Sequence, residues 1–308
     1  MRVLFWGTPE FAAAPLRALI GEGFDVVGVV TQPDKPQGRT REVIHSAVKA
    51  IALEEEIPLF QPKNAREPGL VETLGVLEPD IGIVVAYGHI LPQQIIDLPA
   101  RGTLNIHASL LPLLRGAAPI QAAIKQGLTE TGVTIMRVVQ ALDAGPILLQ
   151  ADTPILADET YGELRYRLSE LGALSLIEAL TLISIGAGKE KPQDDARATY
   201  AAKITRESSR IDWTASALEV SRLIRASDPK PGAFTQTPKG DVKMFGPKVM
   251  DGIKGEPGEV LKTTGGLIIA CGTDAVRIAE VQPSGKSRMP AQEWTRGRGT
   301  AVGERYGA

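Results

Sequence analysis

Few residues in this chain have both the type and the spacing to do chemistry. Asn105 and His107 stand two apart in the apolar run 103–107. On a strand, residues i and i+2 point to one face, so the amide and the imidazole project together. A polar pair in an apolar strand is costly to bury without partners. At the end of a central strand it suits the binding of a ligand. It suits equally a structural histidine whose hydrogen bonds are satisfied. Asp143, in Leu142-Asp143-Ala144-Gly145, follows the apolar run 133–138. Read just past a strand end, it falls on the same sheet edge as His107, the edge where open parallel sheets bind ligands. Asp-x-Gly alone is a common turn; three polar groups converging on one edge make a stronger case.

Other candidates are weaker. The stretch 32–41 holds too many Gly and Pro residues for a helix or strand, and carries Lys35, Arg39 and Arg41. It reads either as a solvated loop or as a mobile basic loop that closes on an anionic substrate. Gly7-Thr8-Pro9-Glu10 ends the first apolar run. It lacks the later glycines of the dinucleotide fingerprint and the Walker lysine, so it reads as a tight strand-to-helix turn. His45, His89 and His107 are scattered, and Cys271 is the only cysteine. Neither a disulfide within the chain nor a metal site is expected.

Positioning such groups requires a scaffold. Up to about residue 188, short apolar runs alternate with amphipathic segments. Strands are predicted at 3–6, 26–30, 81–86, 103–107, 133–138 and 147–151. Helices are predicted at 9–20, 44–55, 92–97, 119–126 and 160–185, the last capped by Thr160 with Glu163 three residues on. Buried strands alternating with helices imply an α/β domain, Rossmann-like, with a mostly parallel sheet and helices on both faces. Residues 189–205 carry mixed charges without an apolar period and read as a linker. A helix at 215–226 follows. Short strands at 233–237, 242–245, 258–262, 266–271 and 275–281 then suggest a small C-terminal β-barrel of OB type. The expected organisation is a catalytic domain at 1–188, a linker at 189–205 and a β-barrel domain at 206–308.

The 308 residues are 43% hydrophobic and 23% charged, which excludes global disorder. The apolar run 174–185 contains Glu178 and is shorter than the roughly 20 residues that span a bilayer. No basic segment followed by a long apolar one opens the sequence, so a cytoplasmic protein without membrane attachment is expected. The net charge of −2 hides an asymmetry: residues 206–308 carry 16 Lys and Arg against 12 Asp and Glu. A basic minor half suits an anionic polymer, though charge alone fits a plain solvated surface as well.

Taken together, the motifs resemble the methionyl-tRNA formyltransferase family across nearly the whole chain. The resemblance rests on 5–11 (Phe-Trp-Gly-Thr-Pro-Glu-Phe), 31–34, 85–88, 105–112, 115–120, 131–136, 142–145 and Arg210-Ile211-Asp212-Trp213. It implies transfer of a formyl group from 10-formyltetrahydrofolate to methionine on initiator methionyl-tRNA, by a monomer that uses no metal. It implies that Asn105, His107 and Asp143 are catalytic. Asn105 and a protonated His107 would donate to the formyl oxygen, and Asp143 would orient His107 and accept the amine proton through a water. The folate site would comprise Ala86, Tyr87, Gly88, Ile90, Leu91, Ser109, Leu110, Leu111, Pro112 and Leu142. Lys35, Arg39 and Arg41 would hold tRNA; here the loop departs from the family by reading Thr40-Arg41-Glu42 after Arg39. A formyltransferase acting on an amino sugar nucleotide or on glycinamide ribonucleotide, a formyltetrahydrofolate hydrolase and a non-catalytic RNA-binding protein are the alternatives. The intact Asn105, His107 and Asp143 set speaks against the last.

Overall fold

The computed structural model describes residues 1–34, 36, 37 and 42–307, with the backbone alone at 36, 37, 42 and 43. The N-terminal part opens with β1 (Arg2–Gly7), α1 (Ala13–Gly21) and β2 (Asp25–Val30). The two-residue strands β3 (Pro36–Gln37) and β4 (Glu42–Val43) pair antiparallel, followed by α2 (Ala47–Glu54) and β5 (Leu59–Phe60). Next come α3 (Leu70–Gly75), β6 (Ile81–Val85), α4 (Gln93–Ile96) and β7 (Thr103–His107). The short β8 (Arg115–Gly116) precedes α5 (Pro119–Gln126), β9 (Glu130–Arg137), β10 (Ile147–Pro154) and α6 (Tyr161–Ser184).

Seven of these strands form one sheet in the order β10-β9-β7-β6-β1-β2-β5. The five from β7 to β5 are parallel. Val3 to Trp6 of β1 are all at most 1% exposed. Successive side chains on a strand point to opposite faces, so both faces of the sheet are covered, as parallel sheets require. One face carries Leu4, Trp6 and Val30 against Leu70 and Leu74 of α3 and Ile95 and Ile96 of α4. On the other, Gly172 of α6 comes against Ile106 and Val133.

One direction differs from the sequence reading. β9 runs antiparallel to β7, with Leu104 opposite Arg137 and His107 opposite Thr134. The C-terminal end of β9 therefore lies at the start of β7, and Asp143 does not reach His107 by following a parallel strand to a common edge. Helix α2 also starts at Ala47 rather than 44, because the Ser46 hydroxyl accepts from the Lys49 N–H and so caps it.

Residues 1–119, 130–154 and 165–201 form one compact unit; residues 120–129, 155–164 and 202–308 form the second. The first includes β11 (Tyr200–Ala201), which pairs with β8. The second holds α7 (Ala217–Ser227), β12 (Ala233–Thr237), β13 (Gly240–Met250), β14 (Val260–Lys262) and β15 (Leu267–Ala270). It continues with β16 (Ala275–Pro283), β17 (Met289–Pro290) and α8 (Ala291–Arg296). Its strands make a curled antiparallel sheet in the order β12-β13-β16-β15-β14, with β17 on β16, consistent with a small barrel-like domain. Its core joins Trp213, Val220, Ile224, Met244, Ile269, Ile278, Trp294 and Tyr306.

β13 runs through Gly246 and Pro247, where the sequence reading stopped at 245. Gly246 sits at φ +58, where a Cβ would meet Ala279 Cβ at 2.8 Å, so only glycine lets the strand bend there. Pro247 is tolerated because β12 has already ended and β16 is the one remaining neighbour.

Candidate active site

Strand alternation places Asn105 and His107 on one face of β7, beside Val84 of β6 and Met136 of β9. His107 is buried. Its Nε2 lies 3.0 Å from the Leu114 carbonyl oxygen. A carbonyl only accepts, so the Nε2 hydrogen is present and donated there. Its Nδ1 faces Asp143 Oδ2 at 3.6 Å, close enough for ionic attraction and longer than a direct hydrogen bond. Oδ2 also accepts from the Gly116 N–H at 2.8 Å. Gly116 has φ +116 and lies so close to the Ala201 carbonyl that a Cβ would stand 2.6 Å from its oxygen.

Asp143 reaches this position by a different route from the one the sequence suggests. From the end of β9 the chain doubles back along the sheet by about 10 Å, three residues of strand at ~3.3 Å each. The turn sets Asp143 at φ 49. Gln193 secures it by donating to the carbonyls of Asp143 and Gly145, both at 2.8 Å. Asn105 is half-buried. Among the described residues its side chain has no hydrogen-bond partner, and neither has Asp143 Oδ1. One uncommitted amide and one uncommitted carboxylate oxygen thus accompany a fixed imidazole.

The residues expected around a folate separate by burial. Ile90 and Leu142 are 70% and 61% exposed. Ala86 and Gly88 are exposed, with φ of 49 and 86. Leu110 and Pro112 are half-buried. Tyr87, Leu91, Ser109 and Leu111 are buried. The Tyr87 ring packs edge-on against Trp6, and burial pushes its phenol up to about 12. Ser109 Oγ donates to the Leu113 carbonyl at 2.6 Å. Its own carbonyl accepts from Thr134 Oγ1, also at 2.6 Å. Those four side chains therefore face the interior rather than solvent.

Lys35, Arg39 and Arg41 lie outside the described residues. Beside them, Asp34 pairs with Lys49 and, at 3.3 Å, with His45. The hydrogen bond from Lys49 holds the Asp34 carboxyl below the usual range. The turn after β1 is tied to the chain leaving β2, Thr8 Oγ1 accepting from the Gln32 N–H at 3.2 Å. Among the described residues no group of three His, Cys, Asp or Glu side chains could hold a metal, and no helix is long and apolar enough to cross a membrane.

Sequence reasoning missed Arg115, Gln193 and Leu114. Arg115 lies in a quoted motif, but nothing in its neighbours says it is 4% exposed. Gln193 stands in a stretch with no apolar period, and Leu114 acts through its backbone. No local signal marks any of the three.

An amide and an imidazole beside a carboxylate thus meet at the face of a mostly parallel sheet. The profile of the family described as formyl transferase matches residues 1–180, and that of the formyl transferase C-terminal domain matches 203–299. The methionyl-tRNA formyltransferase of Pseudomonas putida (strain GB-1) is 46% identical over 93% of both chains. That of Marinobacter nauticus is 43% identical over 96% of both. In fold, the chain is similar to HypX from Aquifex aeolicus in complex with tetrahydrofolic acid. The TM-score is 0.66 at 22% identity, over 95% of this chain and 46% of that one. The chain belongs to the formyl transferases and, among them, to the methionyl-tRNA formyltransferase family.

Proposed function

We propose that this enzyme moves the formyl group of 10-formyltetrahydrofolate onto the α-amino group of methionine carried by initiator tRNA. The observation that carries the reading is the Asn105 amide, half-buried and without a hydrogen-bond partner among the described residues, beside the His107–Asp143 pair. The names of the curated relatives supply the acceptor, and the tetrahydrofolic acid bound to HypX supports the donor.

The neutral amine attacks the formyl carbon, and negative charge gathers on the formyl oxygen. Asn105 Nδ2 donates to that oxygen, a bond that strengthens as charge develops. His107 has its Nε2 hydrogen on Leu114 O. In this arrangement it acts on the oxygen only if that bond is exchanged, so Asn105 is the first donor and His107 the second. Asp143 Oδ1 takes the proton from the attacking nitrogen through a water. The tetrahedral intermediate then collapses: the bond from the formyl carbon to N10 breaks, N10 takes the proton that Asp143 accepted, returned through a water, and the formyl group stays on the methionine nitrogen. Ile90 and Leu142 flank the pterin, with Ala86 to Leu91 and Ser109 to Pro112 as its two walls.

The first compact unit, which runs on to residue 201, carries this chemistry, and 206–308 bind RNA through phosphates, as a basic β-barrel can without reading sequence. Lys35, Arg39 and Arg41 hold the acceptor end. The reaction belongs in the cytoplasm and needs one copy of the chain. To test the reading, the protein is incubated with 10-formyltetrahydrofolate and either methionyl-tRNA, uncharged tRNA or water. Formyl transfer to methionyl-tRNA alone is the expected result. Formate release at the same rate without an acceptor would make the enzyme a hydrolase and overturn the reading.

A further inference from the structure

Two features of the chain have no part in the reaction as described: the Arg115-Gly116 motif and the segment after α6. The structure joins them. Between 189 and 200, Gln193 and Ala198 are the residues that are not exposed. Gln193 Oε1 accepts from Arg115 Nε at 3.0 Å and Nη2 at 2.7 Å. The same Nη2 pairs with Asp195 at 2.7 Å. A guanidinium only donates, so it fixes which end of the amide is oxygen. Gln193 Nε2 must then face the other way, and there it donates to the carbonyls of Asp143 and Gly145.

These bonds hold a backbone that needs holding. A non-glycine residue at positive φ, such as Asp143, is strained and persists when its surroundings over-determine it. Gly116 grips the carboxylate, and Gln193 grips the carbonyls at 143 and 145. The same segment reaches the opposite side of His107. Thr199 Oγ1 accepts from the Leu114 N–H at 2.8 Å, and Arg115 N–H donates to the Thr199 carbonyl at 2.8 Å. Leu114 is the residue whose carbonyl receives His107 Nε2–H. Residues 193–201 thus hold both neighbours of the imidazole, Asp143 on Nδ1 and Leu114 on Nε2.

We infer that Gln193 is a positioning residue for formyl transfer, the centre of a brace at 193–201 that sets the His107–Asp143 geometry from outside the substrate site. The inference rests on the reading of Asp143 as catalytic. Gln193 bonds Arg115 on one side and the backbone of Asp143 and Gly145 on the other, so its effect falls on kcat and passes through Asp143.

The test uses the full chain. Gln193→Met keeps a side chain of similar length and removes the donors and the acceptor. Its kcat is expected to fall 10- to 100-fold, with KM for folate and for methionyl-tRNA within twofold of wild type. In an Asp143→Ala background the same substitution is expected to cost less than threefold, since the group it positions is gone. Gln193→Glu keeps the acceptor for Arg115, lacks the donors, and is expected to lose as much as Gln193→Met. It also carries the test if Gln193→Met does not fold. A wild-type kcat in either folded variant, or an equal loss with and without Asp143, would overturn the brace. If Asp143→Ala itself retains wild-type kcat, the catalytic reading fails instead, so the two failures are distinct.

Discussion

At the scale of single residues, Asn105 and His107 sit on one strand face but carry different structural obligations. Among the described residues the Asn105 side chain has no hydrogen-bond partner. Asn105→Ala is expected to lower kcat by roughly 10²–10³, as for loss of one oxyanion donor, with little change in stability. His107→Ala is expected to lose most activity too, and in addition to leave the Leu114 carbonyl without its donor, at about 1–3 kcal/mol. Asp143→Ala is expected to lose most activity in a folded protein. Turnover and urea midpoints of the three variants check this; near wild-type turnover in His107→Ala would sink the assigned roles. Arg39 is proposed to act on the RNA side. A guanidinium binds phosphate through paired hydrogen bonds. Arg39→Ala is expected to raise KM for tRNA or lower kcat, leave folate affinity unchanged, and flatten the salt dependence by about one phosphate contact. Unaltered tRNA kinetics across a salt series would leave Arg39 as a solubilising residue only.

At the scale of elements, two helices begin with the same device. Thr160 and Glu163 bond reciprocally at the start of α6, and Ser216 and Glu219 at the start of α7. The first was legible in the sequence because Thr-x-x-Glu before an apolar run is enough to specify it. Bonds from the Thr160 N–H and then its hydroxyl hold the Glu163 carboxyl below the ordinary range. Bonds from the Ser216 hydroxyl and then its N–H do the same for Glu219. A carboxyl depressed by folding contributes stability that is present above its unfolded pKa. That contribution disappears as pH falls through the folded value. Stability is therefore expected to drop from about pH 4.3 downward, near the ordinary Glu pKa. Glu163→Gln and Glu219→Gln should make that drop shallower, since a neutral amide still bonds but does not titrate. Urea midpoints measured across this range check it, and equal slopes in wild type and variants would refute the link.

At the scale of the whole molecule, where the chain is divided matters. The site's brace extends to residue 201, past the 188 where the apolar alternation ends. A fragment 1–205 is expected to bind folate and to keep the geometry around His107, because Gln193, Thr199 and β11 remain. It is expected to use methionyl-tRNA poorly. It should also melt earlier than the full chain, because residues 120–129 and 155–164 belong to the second compact unit. Ile120, Ala123 and Ile124 are at most 5% exposed in the whole protein. Folate binding, formylation of methionyl-tRNA and the melting temperature of the fragment are the measurements. A fragment that formylates methionyl-tRNA as well as the full chain would show that the C-terminal unit is not needed to hold the RNA.

What the sequence determined by itself was local. The apolar run 103–107 with its polar alternation put Asn105 and His107 on one face, because a strand repeats every two residues. The boundaries of β7 and α5 followed from the same periodicity and from Pro119 at a helix start. The direction of β9 was not legible, since a strand has the same period of two whether it runs up or down the sheet. Only its pairing with β7 decides that, and with it the doubling back that carries Asp143 to His107. The partners of the imidazole were likewise hidden. Leu114 contributes a carbonyl that every residue has, and Gln193 lies 86 residues beyond His107 in a segment without pattern. Hydrogen bonds of that range depend on where the folded chain returns, which no spacing within a segment encodes.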